Sequence, residues 1–241
     1  MLSVIIPCYN EEKLIKKSIA EIFKAIKLSK IKKYEIIYID DDSKDRSLEI
    51  VKKISKKKRK IRIYKNKKNC GIGYNFFKGV SKSRGKYLIQ IPADNSHPGI
   101  ELSKILKFIN SKYDITTTYY INNSERGLFR NLFTLTYTPF LNFLYGTSLP
   151  YFNGLTLYKT KDLKKLNFKN SSFSYQIEIF VYLFYKYKPE FKIVPTILHD
   201  RKVGSKAFRL KNSILVVISI IKIFIYSLKY RILNLFNISY R

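Results

Sequence analysis

Short apolar runs alternate with amphipathic helical patterns along the first half of the chain. The runs lie at residues 2–6, 34–39, 61–64 and 86–91, and they are short enough to be buried strands. Between them, apolar residues recur at intervals of three and four, which is typical of helices that bury one face. The β-α-β-α-β-α-β alternation predicts an α/β fold with a doubly wound, mostly parallel sheet flanked by helices.

Polar residues stand at the end of three predicted strands. Their sequences are Pro7-Cys8-Tyr9-Asn10-Glu11, Asp40-Asp41-Asp42 and Pro92-Ala93-Asp94. Because ligands of open α/β sheets bind at the carboxyl ends of the strands, we expect these places to converge on one crevice. A carboxylate there can bind a metal, accept hydrogen bonds from a ribose or base, or act as a general base, whereas an isolated aspartate more often caps a helix or turn. Asn10 is also predicted to cap the first helix.

The second half of the chain has a less regular pattern. It predicts three further elements and a basic loop, at residues 114–120 (strand), 175–187 (helix), 191–198 (strand) and 200–206 (loop). Arg126 and Arg130 stand four residues apart, so a helix would place them on one face. The alternative for this pair is a solvated helix face.

The C-terminal segment is apolar with few polar interruptions. A helix over residues 214–228 would be about 22 Å long, which is shorter than the ~30 Å hydrocarbon core of a bilayer. Lys211, Lys222 and Lys229 fall close to one line on such a helix. The pattern predicts a helix that lies in a membrane interface over residues 211–236. The alternative is a helix that packs on the rest of the fold with its lysines outward.

Composition narrows the classes of function. The formal net charge is +30, from 47 Lys and Arg against 17 Asp and Glu, so the surface should attract phosphates, anionic lipids or nucleic acids. The basic residues are dispersed and lack a recognition motif, so no nucleic-acid partner is expected. Two cysteines among 241 residues exclude a disulfide framework, and two histidines exclude a His-rich zinc site. The N-terminal segment has no basic n-region and is not predicted to be a signal peptide.

Several segments carry the motifs of one family. Three of them are SVIIPCYNEE (3–12), YIDDDSKDRS (38–47) and NCGIGYNFFKGVSKSRGKYLIQIPADNSHP (69–98). Four more are RGLFRNLF (126–133), YFNGLTLYK (151–159), SYQIEIF (174–180) and DRKVGSK (200–206). Together they resemble the family 2 glycosyltransferases with a GT-A fold, in the branch of dolichol-phosphate mannosyltransferases and polyprenyl-phosphate sugar transferases. The resemblance implies a catalytic domain over residues 1–210, followed by a membrane-interface helix and tail over residues 211–241.

The resemblance implies roles for individual residues. Positions that contact the nucleotide-sugar donor are matched by Pro7, Tyr9, Glu11, Ile39, Asp41, Ala93 and Asp94. Asp94 also matches the position that binds the metal, Mg2+ or Mn2+. Arg201 and Lys206 match a basic loop that closes on the donor phosphates. Positions near the acceptor phosphate are matched by Arg126, Arg130 and Thr134, and the expected catalytic residues are Asp94, Arg130, Arg201 and Lys206.

Three positions differ from the family pattern. Pro92 stands where the first Asp of an Asp-x-Asp motif is usual. Ser96 stands where the branch often has Gln, and Tyr119 where an Arg that contacts the donor is common. A single carboxylate, that of Asp94, can still hold Mg2+ together with water and the donor diphosphate. The sugar and the base of the donor are left open.

The implied function is transfer of a sugar from a nucleotide-sugar donor to a polyprenyl phosphate. We expect a peripheral or monotopic protein at the cytoplasmic face of a membrane, with no obligate protein partner. A hydroxyl acceptor needs a general base, whereas a lipid phosphate is already anionic. Family members that use hydroxyls often carry a Glu-Asp pair late in the domain, but here Glu178 stands alone. One alternative is transfer to a saccharide or other hydroxyl, with Glu178 or a residue not identified from the sequence as the base. The other is a non-catalytic nucleotide-sugar-binding module, which the Pro92 difference suggests.

Overall fold

The computed structural model describes most of the chain. The described residues are 1–121, 128–149, 151–152, 154–166, 174–199 and 210–235, with side chains except at 128–135, 210–216 and 233–235. The strands are β1 (Leu2–Cys8), β2 (Tyr34–Asp40), β3 (Ile61–Lys65), β4 (Tyr87–Gln90), β5 (Ile115–Tyr120), β6 (Thr156–Lys159) and β7 (Phe191–Thr196). The helices are α1 (Ile15–Leu28), α2 (Ser47–Lys57), α3 (Ile72–Lys82), α4 (Gly99–Leu106), α5 (Leu128–Tyr145), α6 (Thr160–Lys164), α7 (Tyr175–Tyr187) and α8 (Leu210–Leu235).

The strands form one sheet in the order β3-β2-β1-β4-β6-β5-β7. β1 pairs in parallel with β2 and β4, and β5 pairs in parallel with β7. β6 is antiparallel to both of its neighbours, β4 and β5. The predicted α/β fold with a mostly parallel sheet is therefore confirmed, with one strand inverted near its centre.

Helices cover both faces of the sheet because its central strands are apolar on both sides. Val4 and Ile6 of β1 pack with the apolar faces of α1, α2 and α4. Ile5, which points to the opposite face, packs with α3, α5, α7 and α8. All three side chains are fully buried. The apolar run at residues 2–6 therefore lies in a strand that is covered on both faces, as is usual for strands of parallel sheets.

The segment between β1 and α1 differs from its prediction. Asn10 does not cap α1, because the helix begins at Ile15 and Asn10 has a positive φ of 54°. Its Oδ1 accepts a hydrogen bond from the Lys44 N–H at 2.7 Å, and its own N–H donates to Ser43 Oγ at 3.1 Å. An asparagine tolerates this left-handed conformation, so here it joins two loops instead of starting a helix.

Helix α8 packs against α7 and α5. The rings of Tyr182 and Tyr226 stack with centroids 5.6 Å apart, and Ile223 is buried in the core shared with α7. The opposite side of α8 exposes a row of apolar side chains, here called the outer ridge: Val217, Ile218, Ile221, Ile225, Leu228 and Ile232. None of the helices in the described ranges combines the length and the hydropathy that a transmembrane span requires.

Candidate active site

The ends of β1, β2 and β4 lie side by side at one edge of the sheet. In the β1–β2 pair Cys8 is opposite Asp40, and the Asp41 N–H extends the ladder by donating to the Cys8 carbonyl at 2.8 Å. On the other side of β1, the Ile91 N–H donates to the Ile5 carbonyl at 2.9 Å. The three polar segments that follow these strands therefore share one crevice.

The carboxylate of Asp41 is buried and accepts hydrogen bonds from within the protein. Its Oδ1 accepts from Asn66 Nδ2 at 2.7 Å and from the Cys70 N–H at 2.8 Å. Its Oδ2 accepts from the Gly71 N–H at 3.0 Å. Gly71 has a φ of 90°, a left-handed conformation that favours glycine. Because a carboxylate has about four acceptor positions, one remains for a further donor such as a base N–H.

Asn66 extends this network toward α3. Its amide Nδ2 donates to Asn75 Oδ1 at 2.7 Å, and its Oδ1 accepts from the Lys78 ammonium at 2.6 Å. A shallow pocket of about 410 Å³ beside it is lined by Asp42, Lys65, Asn66 and Lys67. Asn66 and Lys78 were not among the predicted site residues. Their only sequence signal is that Asn66 directly follows the strand at residues 61–65.

The first polar segment is held in place by the second. The Glu11 N–H donates to Ser47 Oγ at 2.8 Å, and the Glu12 N–H donates to Asp45 Oδ2 at 2.9 Å. Pro7, Tyr9 and Glu11 are half-buried at this edge. The backbone that presents them to the crevice is therefore fixed by Asp45 in the loop after β2 and by Ser47 at the start of α2.

Three other residues at the strand ends are buried. The side chains of Ile39 and Ala93 belong to the apolar core, so they can shape a donor site only by packing. Burial raises the pKa of the Cys8 thiol to about 12. Cys8 is therefore a neutral core thiol at neutral pH and not a nucleophile.

Asp94 lies half-buried in the turn that follows β4. Its Oδ1 accepts hydrogen bonds from the Ser96 hydroxyl at 2.5 Å and from the Ser96 N–H at 3.2 Å. Between them, Asn95 has a positive φ of 53°, and its buried Oδ1 has no partner among the described residues. Ser96, which stands where the family branch often has Gln, thus orients the carboxylate.

The donor set around Asp94 fits a cation that is shared with substrate phosphates. Among the residues that the structure describes, no three His, Cys, Asp or Glu side chains cluster so that they could hold a metal. Mg2+ usually takes one or two protein carboxylates and completes its shell with water and phosphate oxygens. Asp94 would serve as the protein carboxylate of such a site.

The chain returns to this turn after β7. The His199 N–H donates to the Ser96 carbonyl at 2.9 Å, and the Ile197 N–H donates to Glu101 Oε2 at 2.9 Å. These bonds hold residues 197–199, which precede the basic loop in the chain, next to the Asp94 turn. Arg201 and Lys206, the two predicted cations of that loop, lie outside the described residues.

The predicted acceptor residues lie in or just before α5. Arg126 is outside the described residues, and Arg130 and Thr134 lie in the helix but their side chains are not described. Glu178 is half-buried in the first turn of α7. These roles therefore stay predictions from the resemblance.

The segment before β6 closes the crevice from the other side. An ideal Cβ at Gly154 would lie 2.0 Å from the Thr118 carbonyl oxygen, so only glycine lets this segment approach β5 so closely. The Gln176 amide of α7 donates to the Gly154 carbonyl at 2.5 Å and to Thr156 Oγ1 at 2.8 Å. Tyr119, which is 41% exposed, contacts Tyr151 edge to face. Gln176 was not predicted as a site residue.

The family model confirms what the motifs indicate. The model described as Glycosyl transferase family 2 matches residues 3–167, a range that includes the ends of β1, β2 and β4. The chain therefore belongs to this family.

Two curated relatives bear names of polyprenyl-phosphate enzymes. The chain is 31% identical over 108 residues to a dolichol-phosphate mannosyltransferase of Saccharomyces cerevisiae, a match that covers 45% of this chain and 40% of the relative. It is 30% identical over 151 residues to an undecaprenyl-phosphate 4-deoxy-4-formamido-L-arabinose transferase of Pectobacterium atrosepticum, with 61% of this chain and 45% of the relative covered. The matched part is less than half the length of either relative.

A solved structure shares the fold. It is the crystal structure of glucosyl-3-phosphoglycerate synthase from Mycobacterium tuberculosis in complex with Mn2+, uridine diphosphate and phosphoglyceric acid. The TM-score is 0.69 at 16% identity, and the match covers 94% of this chain and 78% of that one. At this identity the likeness shows the fold alone, and it confirms the predicted GT-A class.

Proposed function

We propose that this chain transfers a sugar from a nucleotide-sugar donor to a polyprenyl phosphate. The observation that carries the proposal is that the ends of β1, β2 and β4 lie side by side at one edge of the sheet. His199, which precedes the basic loop in the chain, is hydrogen-bonded to Ser96 beside Asp94. The names of the two relatives support the acceptor class. The sugar and the nucleotide base stay open.

The donor side must stabilise a leaving diphosphate. Asp94 would hold Mg2+ or Mn2+, which supplies positive charge against the diphosphate oxygens when bound. Arg201 and Lys206 would add two cations from the loop that begins beside Ser96. Fixed positive charge lowers the reaction barrier most when it lies where negative charge develops on the leaving group in the transition state. The cavity lined by Asp42, Lys65, Asn66 and Lys67 would take the nucleoside, close to Asp41 through its hydrogen bond with Asn66.

The acceptor side needs orientation more than proton transfer. A phosphate oxygen of the acceptor would attack the anomeric carbon as the bond to the donor diphosphate breaks, and the nucleoside diphosphate leaves. Arg126, Arg130 and Thr134 would position this phosphate. An anionic phosphate needs no general base, which is consistent with a lone Glu178 in the first turn of α7.

The acceptor class places the protein at a membrane. We infer that residues 211–236 contact the bilayer from its cytoplasmic face, so that the protein is peripheral or monotopic. The outer ridge of α8 supports this, because six apolar side chains there are between 42% and 62% exposed. Lys222 and Lys229 are also exposed.

A transfer assay tests the proposal. Radiolabelled sugar nucleotides would be incubated with the protein, Mg2+ and vesicles that contain a polyprenyl phosphate, and the lipid fraction would be counted. We expect label in that fraction, and a loss of at least about a hundredfold for Asp94→Asn, since one lost electrostatic contact at developing charge commonly costs ~3 kcal/mol. Label that enters an added saccharide but not the lipid would instead support the hydroxyl acceptor.

A further inference from the structure

A second pocket lies at the opposite edge of the sheet from the crevice. It has a volume of about 600 Å³ and is lined by the start of β4, the end of β6, α6 and the turn before β5. These parts meet because β6 is antiparallel to β4, with Tyr87 opposite Lys159. At ~3.3 Å per residue along a strand, the pocket is roughly 20 Å from Asp94.

Cations from several elements line this basic pocket. They are Arg84, Lys86, Lys159, Lys161 and Lys164. Three acids lie nearby. Asp114 Oδ1 lies 2.6 Å from the Lys159 ammonium and, followed by Asp162, raises the pKa of Lys159. The Glu35 carboxylate accepts the Arg84 N–H at 2.6 Å and is paired with Arg62. The other four cations leave a strong positive surplus around one concavity.

Contacts hold some of these cations in place. The Lys164 ammonium donates to the Ser83 carbonyl at 3.0 Å, and the Lys86 ammonium lies 5.7 Å from the ring centre of Tyr87. The Thr160 N–H donates to the Lys86 carbonyl at 2.9 Å, which ties α6 to the loop before β4. These contacts hold two exposed lysines at the edge of the pocket, where cations from three segments of the chain meet around one concavity.

Two hydroxyl groups of the lining residues lack partners. Thr160 is 4% exposed, and neither its Oγ1 nor the buried Ser111 Oγ has a hydrogen-bond partner among the described residues. Both oxygens are shielded from solvent, so each hydroxyl would have to turn toward the pocket to reach an acceptor oxygen there. Because a buried polar group without a partner costs about 1–3 kcal/mol, such a turn would be favoured. Cations and hydroxyl donors together suit an anion with several oxygens.

We propose that the basic pocket binds a multiply charged phosphate group, as a site separate from the crevice. Phosphate offers the charge that the surplus cations attract and the acceptor oxygens that the two hydroxyls lack. The group belongs either to a soluble phosphorylated molecule or to a lipid headgroup. The proposal does not depend on the function proposed for the crevice.

Binding of inorganic diphosphate to the full chain tests the site. Equilibrium dialysis without divalent cations would compare wild type with the double variant Lys86→Gln and Lys164→Gln. The matched control is Lys52→Gln with Lys53→Gln on α2, which removes the same charge from two exposed side chains. We expect an affinity loss of about tenfold or more for the pocket variant and less than about twofold for the control. Asp94→Asn should retain the binding, which separates this site from the crevice.

A second experiment distinguishes a soluble phosphorylated ligand from a lipid headgroup. The same variants would be sedimented with phosphatidylglycerol vesicles, and circular dichroism would check that each is folded. Loss of diphosphate binding alone indicates a soluble ligand, and a loss of vesicle binding beyond that of the control indicates a headgroup. The single variant Lys161→Gln, at an exposed position, repeats the test with the least risk to folding. If pocket and control variants behave alike in both experiments, the proposal is wrong.

Discussion

At the scale of single residues, the crevice is ordered by aspartates that accept hydrogen bonds from the neighbouring backbone. Asp41 accepts two backbone N–H groups and one amide, and so fixes the turn at Gly71. Asp94 accepts both donors of Ser96. A carboxylate held in this way loses little freedom when a ligand arrives, so its charge is pre-organised for binding.

Replacing Asp41 should therefore cost stability as well as donor affinity. Asp41→Asn leaves one acceptor oxygen for three donors and places an amide against backbone N–H groups. Since hydrogen bonds to a charged group contribute about 1.5–3 kcal/mol, we expect a loss of roughly 2–3 kcal/mol in the free energy of unfolding, measured with urea. Asp42→Asn, which removes an ion pair to a mostly exposed Lys44, is the matched control and should cost less than about 1 kcal/mol. Equal losses would contradict the anchoring role of Asp41.

Glu35 gives a prediction about pH. Burial alone would raise its pKa, but hydrogen bonds from the Arg84 N–H, Ser3 and Arg62 outweigh this and lower it below the ordinary 4.5. A lowered pKa in the folded state stabilises the protein fully above the unfolded pKa, and this stability is lost as pH falls through the folded value.

Glu35→Gln should accordingly be less stable than wild type by about 2 kcal/mol at pH 7. The difference in urea unfolding free energy should shrink as the pH is lowered below 4.5. Glu49→Gln, at an exposed position in the first turn of α2, is the control and should differ from wild type by much less, since it loses only a favourable charge at a helix N-terminus. A difference that stays constant on acidification would show that charge is not the cause.

Some site residues could be predicted from the sequence and others could not. Asp41 and Asp94 stand two and three residues after the apolar runs that end at Ile39 and Ile91, so local pattern predicts their place near a strand end. Asn66 and Gln176 reach their partners across 25 and 22 residues of chain. Such contacts depend on how strands and helices stack, which periodicity does not encode.

At the scale of elements, the inverted strand is what the sequence pattern missed. β6 has four residues and α6 has five, too short for a period to be recognised. The strand predicted at residues 34–39 is observed as Tyr34–Asp40, and α7 spans Tyr175–Tyr187 as predicted, whereas no bounds were predicted for the long helix α5. The antiparallel course of β6 brings Gly154 to the crevice and Lys159 to the opposite edge.

Gly154 should be intolerant of any side chain. In Gly154→Ala the new methyl group would overlap the Thr118 carbonyl, which belongs to the backbone and cannot rotate away. Overpacking of this kind typically costs about 1–3 kcal/mol, so the urea midpoint should fall. Transfer activity should fall as well, because the displaced segment borders the crevice. Unchanged stability would mean that the segment can move without cost.

At the scale of the whole molecule, one side of α8 packs against the rest of the protein and the other side is exposed. At ~100° per residue, the outer ridge falls within an arc of about 100°, and Lys222 and Lys229 lie directly beside it. The buried side carries Ile223 and Ser227 and faces α5 and α7. The sequence pattern predicted an apolar helix with a basic stripe, but which apolar residues face outward depends on the packing. Phe224, for example, is apolar but packs partly against the core.

If the outer ridge enters a membrane interface, removing its apolar side chains should release the protein from vesicles. Each isoleucine that is fully buried contributes about 1.5–3 kcal/mol, and partial insertion gives less, so Ile221→Ser with Ile225→Ser should weaken binding at least about tenfold in a sedimentation assay. The control, Ile100→Ser with Ile193→Ser, makes the same change at two exposed isoleucines outside α8 and should bind as wild type does.

High salt should weaken binding of the wild type without abolishing it, because screening removes the lysine contribution and leaves the apolar one. Equal binding by both double variants would assign the ridge to another role.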